Sequence, residues 1–279
     1  MLKIITKYKT LIAILFLSTL LAPYAHSTEK PVVTEVRVYI LDGGQITFND
    51  MAPFSDTGEF DGKVGHLSDM CILVAHPKGW LLWDTGVQPK KYDGFEFTRK
   101  RTLSSQLADI GLKPEDITYL AFSHFHFDHT GNANEFLSST WILQNKELQW
   151  ANSQPTPFGV DPSTFSQSEK VKKQMIDGDH DVFGDGKVKI LSAPGHTPGH
   201  EVLLIKLDSG KNLIFAGDLY HQSLSRDKRL VPAFNISRAD TLASIDRVNR
   251  IAKNLNAKLF IQHEKSNFDM LPSFPKYLK

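Results

Sequence analysis

Residues 123–132 read SHFHFDHTGN, directly after the apolar run YLAF at 119–122. Three histidines and one aspartate fall between His124 and His129. Extended chain sends alternate side chains to the same side, so His124 and His126 suit one cation while Asp128 and His129 can turn to another. Two cations need more donors than this segment carries, so the fold must return other loops to it. His196 in APGHTPGH (193–200), Asp218 in FAGDL (215–219) and His263 in FIQHE (260–264) each follow a strand-like run or a glycine turn. Ligands at strand ends can converge on one edge of a layered fold. A single histidine at a strand end is more often a polar core or surface residue, and His66, His76 and His180 are read that way.

The chain has 279 residues and a formal net charge of +1 with no long charge run, which gives no sign of a nucleic-acid groove. Lys3, Lys7 and Lys9 precede an apolar run at 11–21, and Ala25-His26-Ser27 supplies a small-residue exit. Residues 1–27 therefore read as a signal peptide, leaving 28–279 as one domain of an exported, periplasmic or secreted protein. The run is shorter than the roughly 20 residues of a spanning helix, and no cysteine closes it, so no membrane anchor is expected after cleavage. The lone Cys71, in MCILV (70–74), cannot form an intrachain disulfide and reads as a small buried apolar residue.

The pattern predicts a strand at 32–41, a long loop at 42–65 and a hairpin of 71–75 with 80–84. Leu103, Leu107 and Ile110 keep helical spacing up to Gly111, and a short strand at 119–123 delivers the histidines. Strands follow at 188–191, 202–207, 213–216 and 259–262. A helix starts at the Ser237/Asp240 capping pair and buries Leu242, Ile245, Val248, Ala252 and Leu255. Strands and helices mix without strict alternation, which indicates α/β or α+β rather than a doubly wound sheet.

These motifs, with LWDTG at 82–86, resemble the metallo-β-lactamase superfamily of dinuclear zinc hydrolases. The resemblance covers nearly all of the chain after residue 27 and implies a four-layer αβ/βα sandwich with its site at one edge. By position it implies that His124, His126 and His196 hold one zinc ion, that Asp128, His129 and His263 hold a second, and that Asp218 bridges them. Cobalt, manganese or iron are alternatives to zinc. Asp84 resembles the family's aspartate that orients a ligand histidine. The bridging Asp218, the SHFHFDH segment and the ending from His263-Glu264 to Phe274-Pro275-Lys276-Tyr277 most resemble the N-acyl-homoserine lactonases.

That likeness implies a lactone as small-molecule substrate, opened by a hydroxide shared between the metals, with Asp128 relaying a proton to the leaving oxygen. Many of these lactonases carry a tyrosine three residues after the bridging aspartate. Here His221 holds that position and Tyr220 precedes it, so both are candidate donors to the developing oxyanion. Phe127 is expected to border the site, and Met51, Phe54, Phe60, Phe95 and Phe97 are candidates for an acyl-chain pocket. Other hydrolases of the superfamily (organophosphate hydrolase, thioesterase, β-lactamase) and a zinc-stabilised binding protein are the alternatives. The sequence leaves the oligomeric state open, a homodimer included.

Overall fold

A computed structural model describes residues 30–279; the signal peptide read at 1–27 lies outside the described residues. Among these, fourteen strands form two sheets: β1 (Arg37–Phe48), β2 (Gly65–His76), β3 (Gly79–Trp83), β4 (Lys90–Tyr92), β5 (Phe95–Thr98), β6 (Tyr119–Ala121), β7 (Thr140–Gln144), β8 (Lys172–Ile176), β9 (His180–Asp181), β10 (Val188–Ser192), β11 (Glu201–Lys206), β12 (Asn212–Phe215), β13 (Ala257–Phe260) and β14 (Tyr277–Leu278). The large sheet runs β4-β5-β1-β2-β3-β6-β7-β8, with β14 also on β1, and the small sheet runs β13-β12-β11-β10-β9. The helices are α1 (Leu103–Ala108), α2 (Phe127–Thr130), α3 (Asn145–Ala151), α4 (Ser223–Lys228), α5 (Arg238–Asn254) and α6 (Lys265–Met270).

The period-two rule explains the layering. In β2, Met70, Ile72 and Val74 join the core between the sheets, while Cys71, Leu73 and Ala75 face the outer layer with Leu103 and Leu107 of α1. The small sheet repeats the pattern. Leu203, Ile205, Leu213 and Phe215 point inward, and Val202, Leu204 and Ile214 pack against Ile245 and Val248 of α5. A strand covered on both faces reads as a continuous apolar run, which is why MCILVA carries no polar residue. The result is the four-layer αβ/βα sandwich expected from the sequence, with Cys71 fully buried.

α5 begins where the capping pair predicts, with Ser237 Oγ accepting the Asp240 N–H at 3.2 Å. The strands β3, β6, β10, β11 and β12 also fall at or within two residues of expectation, whereas β2, expected from 71, already begins at Gly65. Two further boundaries differ. The first strand starts at Arg37, not 32, and continues to Phe48, so the opening part of the expected loop, 42–48, is ladder. Gly43-Gly44, at the start of the expected loop, instead makes a bulge between Asp42 and Gly44, beyond which Ile46 pairs with Leu67 and Phe97. The last expected strand is shifted: β13 ends at Phe260, and Ile261 to His263 form the exit that carries the ligand. Among the described residues no helix is long and apolar enough to cross a membrane.

Candidate metal centre

β3 and β6 are parallel neighbours, as are β12 and β13. Their C-terminal ends therefore lie on one edge, where they release Asp84, the segment 123–129, Asp218 and His263. The turn between β10 and β11 adds His196. Seven donors result in two groups: His124, His126, His196 and Asp218, and beside them Asp128, His129 and His263. All seven residues are buried.

In the first group His126 Nδ1 lies 2.9 Å from His124 Nε2 and 3.2 Å from His196 Nε2. Asp218 Oδ2 stands 3.7 Å from His124 Nε2 and 3.4 Å from His196 Nε2. In the second, Asp218 Oδ1 is 2.9 Å from His263 Nε2 and 3.2 Å from His129 Nε2, while Asp128 Oδ2 is 3.6 Å and 3.8 Å from the same nitrogens. Asp218 thus gives one oxygen to each group, as a bridging carboxylate must.

Electrostatics separate the groups. Burial holds His124 and His196 well below the ordinary histidine pKa and brings His126 to about 4. Three neutral imidazoles therefore aim lone pairs at a common point. Burial also opposes charge on His263, yet Asp218 and Asp128 overcome it and raise its pKa to about 9. For His129 burial is likewise outweighed by Asp218, Asp84 and Asp128, and its pKa rises. Burial works against the Asp218 carboxylate too, but His263 and His221 hold it well below the usual carboxylate range.

The donor chemistry fits two cations. Buried His129 Nε2, His263 Nε2 and Asp218 Oδ1 face one another and have no other hydrogen-bonding partner, an arrangement that a cation between them would satisfy. The opposite ring nitrogens of four of the five histidines are engaged. His129 Nδ1 is 3.0 Å from Asp84 Oδ2, His196 Nδ1 2.8 Å from Asn235 Oδ1, His263 Nδ1 2.8 Å from the Ser68 carbonyl, and His124 Nδ1 3.0 Å from Ser123 Oγ. Such contacts fix ring orientation and leave the inner nitrogen free to ligate. Asp84, with φ of 62°, also accepts the Ser123 N–H at 2.6 Å. Gly217, φ 51°, is demanded by space: a Cβ there would lie 2.7 Å from Ser123 Cβ and 2.8 Å from His200 Nε2.

Gln262 was not singled out by sequence, yet all of its amide is used. Nε2 donates to Asp84 Oδ2 at 2.9 Å and to the Met70 carbonyl at 3.0 Å. Oε1 accepts from Trp83 Nε1 at 3.2 Å and the Gly217 N–H at 2.9 Å. It thereby ties both sheets to the aspartate behind His129. The one signal available was a polar residue inside the apolar exit FIQH.

A cavity of about 650 Å³ opens over the donors. Asp128, Asp218, His221 and His263 line its floor, and Phe54, Phe95, Phe97, Phe127, Phe158 and Phe234 line its walls. Phe127 stacks on Phe97 with centroids 4.7 Å apart. Phe54, Phe95 and Phe127 are thus where the sequence expected them, whereas Phe158 and Phe234 come from loops with no distinguishing pattern. Two expectations fail here. Met51 and Phe60 are buried in the cluster behind the wall, and neither lines the cavity. Tyr220 points away: its hydroxyl donates to Asn249 Oδ1 at 3.1 Å and its ring packs under α5. His221 does face the site, with Nε2 3.0 Å from Asp218 Oδ2 and its ring edge-on to Phe54 at 5.0 Å. His66, His76 and His180 belong to neither donor group; His76 instead pairs with Asp185 at 2.9 Å.

A two-sheet sandwich with a carboxylate shared between two donor groups on its edge presents a candidate dinuclear metal centre. Residues 65–263 match the model of the metallo-beta-lactamase superfamily, and the chain belongs to that superfamily. One relative, N-acyl homoserine lactonase AttM of Azorhizobium caulinodans, is 25% identical over 270 residues, spanning 88% of this chain and 98% of its own. The fold is shared with an N-acyl homoserine lactone hydrolase solved with N-hexanoyl-L-homoserine at its catalytic metal centre (TM-score 0.77, 22% identity, 88% of this chain and 100% of that one). It is shared also with AidC, a dizinc quorum-quenching lactonase solved with a product (TM-score 0.67, 20% identity, 89% and 92%).

Proposed function

We propose that this protein is a dizinc hydrolase that opens the lactone ring of N-acyl homoserine lactones, an ester hydrolysis. The observation that carries the reading is the carboxylate-bridged donor set at the floor of an aromatic-walled cavity; the relatives' names and bound products support it. His124, His126 and His196 would hold one ion, Asp128, His129 and His263 the other, with Asp218 between them. When bound, the pair supplies Lewis acidity and lowers the pKa of water toward neutrality.

The chain's own residues do the rest. Asp84 keeps the His129 Nδ1 proton engaged, so Nε2 stays a lone-pair donor. His221 Nε2 is the donor offered to the carbonyl oxygen as it gains charge. Asp128 edges the cavity floor. As water adds to the carbonyl carbon, Asp128 takes the proton that water gives up and hands it to the ring oxygen as the C–O ester bond breaks. The products are a carboxylic acid, which ionises, and a free hydroxyl. Phe54, Phe95 and Phe127 cover the acyl chain and keep bulk water off the ring. Asp128→Asn should lower kcat by roughly 100-fold or more with little change in Tm; near-normal turnover in that variant removes the proton-relay role.

Mass spectrometry of a long-chain N-acyl homoserine lactone incubated with the purified protein tests the whole reading. A gain of one water, abolished by chelation and restored by zinc, is expected. A protein that carries two metals and leaves the lactone intact would turn the search to thioesters, organophosphates and β-lactams. Export follows from the signal-peptide reading: the periplasmic protein should begin just after residue 27 on N-terminal sequencing, and an uncleaved cytoplasmic chain contradicts it.

A further inference from the structure

Glu147 sits in the first turn of α3, 3% exposed, and its carboxylate is aimed at main chain. Oε1 accepts the Phe125 N–H at 2.9 Å, and Oε2 accepts the Gly199 N–H at 2.8 Å. Phe125 lies between His124 and His126. Gly199 belongs to the turn that begins with His196. One carboxylate therefore grips a loop leaving the large sheet and a turn of the small sheet, and those two segments carry all three histidines of the first donor group. Among the described residues no salt bridge reaches Glu147. Burial pushes its pKa up to about 7, which the two N–H groups, the Thr197 side chain and the charge of His129 only partly offset.

The chemistry explains why the residue is an acid. Both main-chain groups that it meets are N–H donors on opposite oxygens. A glutamine has one acceptor oxygen and would turn its own NH2 toward the second donor. Gly199 belongs to the same device, because a Cβ there would fall 2.6 Å from Glu147 Cβ and 2.7 Å from Glu147 N. The turn can lie this close to α3 only with glycine at the contact.

We infer that Glu147 is a positioning residue for the first metal: it sets the separation between the His124/His126 loop and the His196 turn before the ion arrives. The inference rests on the two-cation reading of the site. Its test is metal binding, not turnover. Stripped wild-type protein and Glu147→Gln are titrated with Co²⁺ and followed by visible absorption and by metal content after desalting. The wild type takes up two ions. In Glu147→Gln one of the two affinities falls roughly 10–100-fold, the other stays, and the Tm of the metal-free protein moves little.

A residue that only packs the fold would lower the metal-free Tm and leave both affinities alone, which overturns the inference. Two unchanged affinities in Glu147→Gln overturn it as well. A wild type that binds no cobalt defeats the two-cation reading itself, a separate result. Should Glu147→Gln fail to fold, Gly199→Ala displaces the turn from the same carboxylate. It must show the same selective loss, or the inference falls.

Discussion

Replacing His221 with phenylalanine keeps a ring against Phe54 and deletes the nitrogen that now lies 3.0 Å from Asp218 Oδ2. If that nitrogen serves the developing oxyanion, kcat should fall roughly 100- to 1,000-fold while both metals remain bound. Tyr220→Phe is the contrasting case. It removes the hydrogen bond to Asn249, so urea denaturation should show a loss of about 1 kcal/mol with kcat unchanged. The opposite pattern in the two variants would exchange their roles. Sequence spacing named both residues but could not choose, because consecutive residues at a strand exit differ only in which way the turn sends them. The seven donors were legible for the reverse reason: His-x-His-x-Asp-His is local, and each later donor closes a strand. Gln262 was not, since its partner Asp84 lies 178 residues away and a side-chain amide fits many settings.

At the level of elements, the turn that follows His196 holds a group that cannot be charged. His200 Nδ1 donates to the Ala193 carbonyl at 3.0 Å, and Nε2 accepts the Asp218 N–H at 3.0 Å. A proton on Nε2 would face another N–H. Burial lowers this pKa to about 4 against an ordinary 6.5. The folded state therefore binds fewer protons than the unfolded chain between these values, and stability present above about 6.5 is lost as pH falls toward 4. For His200 alone the loss amounts to about 3 kcal/mol. In metal-free protein, His200→Gln should be less stable at neutral pH, and its stability should fall less between pH 6.5 and 4. An unchanged slope would assign the acid sensitivity elsewhere. Elements resisted sequence reading where glycine has two meanings. Gly43-Gly44 looks like the end of a strand, and only the pairing of Ile46 with Leu67 and Phe97 turns it into a bulge within one. Short strands such as β4 and β8 were missed because largely exposed segments carry no apolar run.

For the molecule as a whole, charge in the second donor group follows from three carboxylates around two histidines. With its pKa at about 9, His263 is protonated at neutral pH in the metal-free protein, and His129 is pushed the same way. The sign is opposite to that of His200: this charge favours the fold below about 6.5, and the contribution is lost as pH rises through about 9. Metal must displace those protons to reach Nε2. Loading zinc at pH 7 should release about two protons per chain, read by calorimetry in buffers of different ionisation enthalpy. No release would mean that both rings are already neutral. The architecture itself was readable early, since a β-branched apolar run as short as MCILVA fits a strand covered on both faces. The cavity was not, because its walls come from loops far apart in sequence.

The chain passes from the large sheet to the small one between Ile176 and His180, through Asp177-Gly178-Asp179. Asp84 and the segment 123–129 lie before that crossing; His196, Asp218 and His263 lie after it. Each candidate ion thus draws donors from both sides. A polypeptide cut at Gly178 would consist of two pieces joined by a shared core, by the pairing of β14 with β1 and the Gln262 hydrogen bonds, and by the ions between them. Metal binding and assembly are then linked equilibria, so free zinc should set how tightly the pieces associate. Co-expressed fragments 30–177 and 178–279 should bind each other with a Kd that rises when a chelator is added. A Kd indifferent to chelation would mean that the apolar faces and the β14–β1 pairing hold the pieces together without the ions.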